Sequence, residues 1–124
     1  MSLSEVMIAL TILATVLISL GGLMYAVARH TLRSAAVGYA TAAATSAATW
    51  AQGLPWDSID GAGGCVSDTI DVFPYDRCAS VNTINPQFKR VTVVISATGA
   101  LTTLPESVVV DRHKLRPPSP FNAN

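Results

Sequence analysis

Residues able to do chemistry are few and scattered in this sequence. His30 and His113 are far apart, and neither has metal-ligand spacing. No serine stands in a G-x-S-x-G elbow. Ser58 lies close to Asp57 and Asp60, a grouping that turns use routinely. Asp57, Asp60, Asp68, Asp71 and Asp76 carry oxygens of the kind calcium takes. They lack the order and the terminal Glu of an EF-hand, and solvated loop acids are their default reading. We therefore expect no catalytic residue, no metal site, no cofactor and no small-molecule substrate. Cys65 and Cys78 flank a stretch expected to be a loop and lack CxxC spacing. In an exported protein such a pair forms one disulfide, and in a cytosolic one it stays as two free thiols. The bond would stabilise the fold by roughly 3 kcal/mol on the chain-entropy model.

The remaining candidate is Glu5, and its meaning depends on the apolar residues after it. From Val6 to Ala28 no residue is charged. About 20 apolar residues at 1.5 Å each cross the ~30 Å hydrocarbon core of a bilayer. The hydroxyls of Thr11, Thr15 and Ser19 can bond back to helix carbonyls. A cleavable signal would carry a basic segment first, and Met1-Ser2-Leu3-Ser4-Glu5 holds no Lys or Arg. A plain signal anchor leaves Glu5 without a role. A carboxylate beside an apolar span is costly to bury unless it is paired. The amine of Met1 on a neighbouring copy could pair with it. Alternatively, Glu5 sits among lipid headgroups.

The opening Met1-Ser2-Leu3-Ser4-Glu5-Val6-Met7-Ile8-Ala9-Leu10 resembles the mature start of type IV pilins and pseudopilins, F-T-L-[IL]-E-[VL]-[ML]-[IV]-A-[LIV]. Met1, Ser2 and Ser4 depart from the pattern; the other seven residues fit it. More weakly, Gly53-Leu54-Pro55-Trp56-Asp57-Ser58-Ile59 is similar to a segment after the long helix in minor pilins and type II secretion pseudopilins. Phe88-Lys89-Arg90-Val91-Thr92-Val93-Val94-Ile95 and Ser107 to Asp111 are similar to their paired C-terminal strands. The resemblance implies a homo-oligomeric helical filament with the N-terminal helices at its core. It implies a prepilin peptidase that methylates the amine of Met1, and a Glu5 that sets register against a neighbour's amine. It also implies residence in the bacterial inner membrane before the assembly machinery builds an extracellular pilus. Many members have a proline near position 22; Gly21-Gly22 here would loosen the helix instead, by low propensity. Some pseudopilins bind calcium, which keeps the aspartates in view.

A long helix and a few strands must hold these residues in place. Arg29, His30 and Arg33 form a basic collar, which suits snorkelling to headgroups and equally a solvated helix face. Ser34 to Gln52 is rich in alanine, the best helix former. One helix is expected from about Ser2 to Gln52, roughly 75 Å long. A domain this small cannot bury it, so its first half needs lipid or sister subunits. Gly53 and Pro55 end it, and Ala62-Gly63-Gly64 makes a turn. Strands are expected at Asp68–Phe73, Phe88–Thr98 and Ser107–His113, with a shorter one at Leu101–Leu104 and a turn at Gly99-Ala100. Pro117-Pro118-Ser119-Pro120 reads as an extended end, and Arg112, Lys114 and Arg116 as a solvated basic tail.

The expected fold is thus α+β and pilin-like, a long helix on a small antiparallel sheet. Residues 1–28 form the apolar half, 29–52 the amphipathic continuation and 53–124 the sheet head with its disulfide. The 124 residues allow one small domain. A formal net charge of zero argues against nucleic acid as partner. Three functions remain in play: a pilus subunit, a minor pilin or secretion pseudopilin, and a monomeric membrane-anchored binding domain.

Overall fold

A computed structural model describes residues 2–115. Met1, Arg116 and the Pro117–Pro120 tail lie outside them. Helix α1 runs Leu3–Gly53. Two single 3-10 turns come next, Trp56–Ser58 and Asp60–Ala62. Four strands complete the chain: β1 Gly64–Ile70, β2 Phe73–Asn85, β3 Phe88–Ala97 and β4 Glu106–His113. They form one antiparallel sheet in the order β1-β2-β3-β4, so each strand pairs with its neighbour in sequence. The fold is α+β, as expected. The chain divides into two compact units, Met1–Ala35 and Ala36–Asn124, and the division falls inside α1.

In the second unit the helix contributes only alanine to the buried face: Ala36, Ala40, Ala43, Ala44, Ala47 and Ala51. Their spacing of three and four residues is one face of a 3.6-residue helix. The bulk opposite comes from the sheet. Phe73 and Tyr75 of β2, Val91, Val93 and Ile95 of β3, and Val110 of β4 are buried with Ile59. Alternation along each strand sends these residues to one face. Register aligns them, with Val91 opposite Val110 and Val81 opposite Val91. Each fully buried Phe, Ile or Val contributes roughly 1.5–3 kcal/mol. Small side chains on the helix thus face large ones on the sheet.

The expected strand Asp68–Phe73 does not exist as such. Those residues straddle a hairpin: Ile70 closes β1, Asp71-Val72 turn, and Phe73 opens β2. Asp71 takes a left-handed φ of 53°, a conformation short polar side chains tolerate. Its carboxylate accepts a hydrogen bond from the Tyr39 hydroxyl at 2.8 Å, which pins the turn to the helix. The bond and the nearby negative charge raise the Tyr39 pKa above its ordinary value. Tyr39 also stacks on Phe73, centroids 5.9 Å apart. Leu101–Leu104 forms no strand. In that connection Gly99 lies against Pro74, and a Cβ there would meet the ring at 2.6 Å.

The helix ends are closed by side chains. At the start, the Ser2 hydroxyl accepts from the Glu5 N–H at 3.4 Å, and the Glu5 carboxylate accepts from the Ser2 N–H at 2.9 Å. This reciprocal pair is a capping box. At the far end, the last carbonyls of a helix lack intrahelical partners. The Arg112 guanidinium of β4 donates to the carbonyls of Ala51, Gln52 and Leu54. Arg112 is therefore not a solvated tail residue. Beside it in register is Lys89, only 7% exposed. Its ammonium lies 2.8 Å from the Asp60 carboxylate and 4.7 Å from the centre of the Trp56 ring. Pairing offsets the cost of burying that charge.

Candidate functional site

The feature that sets this chain apart is the first unit. Every described residue from Ser2 to Ala35 is exposed in the isolated chain. Its large apolar side chains range from 40% exposed at Val6 to 83% at Leu3, and they point in all directions around the helix. Among the described residues, α1 is the one helix long and apolar enough to cross a membrane, and none of its apolar window is buried. The few hydroxyls do not break the apolar character. Thr11 donates to the Ile8 carbonyl at 2.8 Å, Thr15 to Ile12 at 2.8 Å and Ser19 to Thr15 at 2.8 Å. A helix that is apolar all round is stable only where something other than water surrounds it.

Glu5 sits in the first turn of this helix. Negative charge there complements the helix dipole. The Ser2 N–H takes one of the roughly four acceptor positions of a carboxylate, so the cap leaves capacity for a further donor. Gly21 and Gly22 lie inside α1, which runs through them, and nothing stands within 4 Å of where their Cβ atoms would be. Close packing within the chain is thus not the reason for glycine at either position.

Cys65 and Cys78 are bonded to each other. They belong to the second unit, whereas Glu5, Gly21 and Gly22 belong to the first. The stretch between them is not a loop. It is the β1–β2 hairpin, and the cysteines are direct partners in its register. Cys78 also pairs with Val94, which alternation places on the sheet face away from α1. The disulfide therefore clamps the open end of a hairpin whose β1 strand is exposed almost throughout.

The aspartates are dispersed. Asp60 meets Lys89 and Asp71 meets Tyr39. Asp68 accepts from the Tyr75 hydroxyl at 3.3 Å, and Asp76 from Ser67 at 2.6 Å. Burial, then the Asp68 charge, raises the Tyr75 pKa. Among the described residues no three of His, Cys, Asp or Glu gather as a metal group. His113 packs against Phe88, ring centres 4.6 Å apart, whereas His30 lies on the exposed helix.

Three residues have structural roles that the sequence did not disclose. Ser2 had a signal, the S-x-x-E spacing ahead of an apolar run. Arg112 and Lys89 had none, because their partners lie elsewhere in the chain. Comparison of the chain with protein-family models, with curated proteins and with solved structures finds no match.

Proposed function

We propose that this chain is the structural subunit of a type IV pilus-like filament, assembled through the first unit of α1. One observation carries the reading: an apolar helix exposed at every described position from Ser2 to Ala35, on a chain whose second unit has a core of its own. Lipid can cover that helix before assembly, and sister helices can cover it afterwards. The resemblance of residues 1–10 to mature pilins supports the second cover. In a bundle of such helices an unpaired Glu5 carboxylate costs several kcal/mol. A neighbour's Met1 amine supplies the counter-charge, so subunits out of register are penalised. Catalysis has no part in this function.

The segments Leu54–Asp57 and Lys89–Val91 favour a second reading, a minor pilin or secretion pseudopilin. Filaments sheared from cells that make this protein separate the alternatives. As dominant subunit the chain is a pilus protein, and its intact mass should show one methyl group on Met1. Trace amounts would make it a minor pilin or pseudopilin. Recovery solely as a membrane-bound monomer would refute assembly and leave an anchored binding domain.

A further inference from the structure

The border of the apolar helix carries a charge pattern with no answer in the helix itself. Arg29 and Arg33 are four residues apart, which places them on neighbouring turns of one face. His30 stands between them, and all three are exposed. No Asp or Glu occurs between Glu5 and Asp57. Like charges at this spacing weaken a helix, so the pair is a cost until an anion joins it. Tyr25, one turn earlier and 65% exposed, has the Arg29 guanidinium 5.9 Å from its ring centre. Tyrosine followed by arginine is the order in which side chains sort from the edge of the hydrocarbon to the headgroups. The distances agree. The uncharged run from Val6 to Ala28 is roughly 35 Å long, slightly more than the ~30 Å core it would cross.

We propose that Tyr25, Arg29 and Arg33 form a docking face for the phosphates of anionic phospholipids, and that the unassembled subunit selects such lipids around the second end of its span. The proposal rests on the membrane residence argued above. Guanidinium groups suit it because each offers a planar fork of donors to phosphate oxygens. Placement at the end of the span commits the face to lipid rather than free phosphate, since the headgroups lie at that depth.

The test uses the full chain reconstituted into phosphatidylcholine vesicles containing phosphatidylglycerol. Insertion is scored by resistance to alkaline extraction. Lipid selection is scored from the motionally restricted fraction of spin-labelled phosphatidylglycerol against spin-labelled phosphatidylcholine. Wild type should favour the anionic label. The preference should fall toward unity in R29Q/R33Q, by up to roughly fivefold for each arginine, while insertion is unchanged. R29K/R33K should keep most of it. An inserted wild type without preference, or a preference surviving in R29Q/R33Q, overturns the proposal and leaves membrane residence standing. Failure of wild type to insert overturns both. Loss of preference in inorganic phosphate but not in chloride of equal ionic strength would mean a free-anion site, and would also overturn the lipid assignment.

Discussion

Replacing Arg112 by alanine tests whether the last strand holds the end of the helix. The guanidinium serves three carbonyls, and they are not equivalent. Ala51 is fully buried, so its carbonyl would lose its partner with no water to replace it. That costs about 1–3 kcal/mol. Gln52 is exposed and Leu54 is partly so; their carbonyls recover hydration at little cost. Removing a cation from a helix C-terminus adds about 0.3–1 kcal/mol. Arg112→Ala should therefore destabilise the second unit by about 1–4 kcal/mol. For a unit of this size that lowers the melting temperature by roughly 5–30 °C. Arg112→Lys keeps the charge but loses the fork, and should cost about half as much. The assay is urea unfolding of the full chain in detergent micelles, followed by the fluorescence of Trp50 and Trp56. Both indoles belong to this region, under Arg77 at 4.4 Å and Lys89 at 4.7 Å. Arg112→Ala within about 0.5 kcal/mol of wild type, the range of an ordinary surface change, would refute the clamp.

Glu5 allows a charge role to be separated from a capping role, because glutamine preserves the capping box and removes the charge. Both Glu5→Gln and Glu5→Ala should abolish filaments in a strain lacking the native subunit, with the membrane pool unchanged; normal filaments from Glu5→Gln would leave Glu5 as a cap alone. Replacing Cys65 and Cys78 together by serine should cost about 3 kcal/mol, and amide exchange should rise first in β1; equal protection across the sheet would contradict the clamp on the hairpin. The Asp111 carboxyl, held below its ordinary 3.8 by two hydrogen bonds from Arg90, adds stability above that value and loses it as pH falls through the depressed one. Arg90→Gln should flatten that acid limb slightly, as measured by urea midpoints at several pH values; an unchanged slope would mean that this exposed pair contributes nothing.

The helix was legible because two independent signals coincide along it, an uncharged apolar run and then an alanine-rich stretch. Strands β3 and β4 were legible to within a residue, since Val91, Val93 and Ile95 alternate with residues of the other face. Strand β2 was not. Its inward positions Phe73, Tyr75, Ala79 and Val81 keep the period, but Pro74, Asp76, Asn82 and Asn85 give the segment the composition of a loop. Pairing on both sides overrides that local signal. Leu101–Leu104 failed in the opposite sense: its apolar ends suggested a strand that finds no partner. At the candidate site, the placement of Glu5 at the head of an apolar helix is legible, and the S-x-x-E spacing encodes the cap it forms. The contacts of Arg112 and Lys89 depend on register between strands far from the helix end in sequence, which no local pattern encodes.

The all-alanine inner face of α1 carries a consequence for how this sequence can drift. Between Val6 and Ala28 the chain itself constrains only oiliness, so Leu, Ile, Val and Met are interchangeable as far as the fold is concerned. From Ala36 to Ala51 the constraint is volume. At Ala40, Ala43, Ala44, Ala47 and Ala51 a larger side chain crowds the core these residues share with Phe73, Val93 and Ile95 and costs about 1–3 kcal/mol as overpacking, while glycine costs about 1 kcal/mol in helix propensity. A single uninterrupted helix should thus accumulate substitutions under two different rules. Homologues aligned along it should change side-chain size freely in the first half and almost never at the buried alanines.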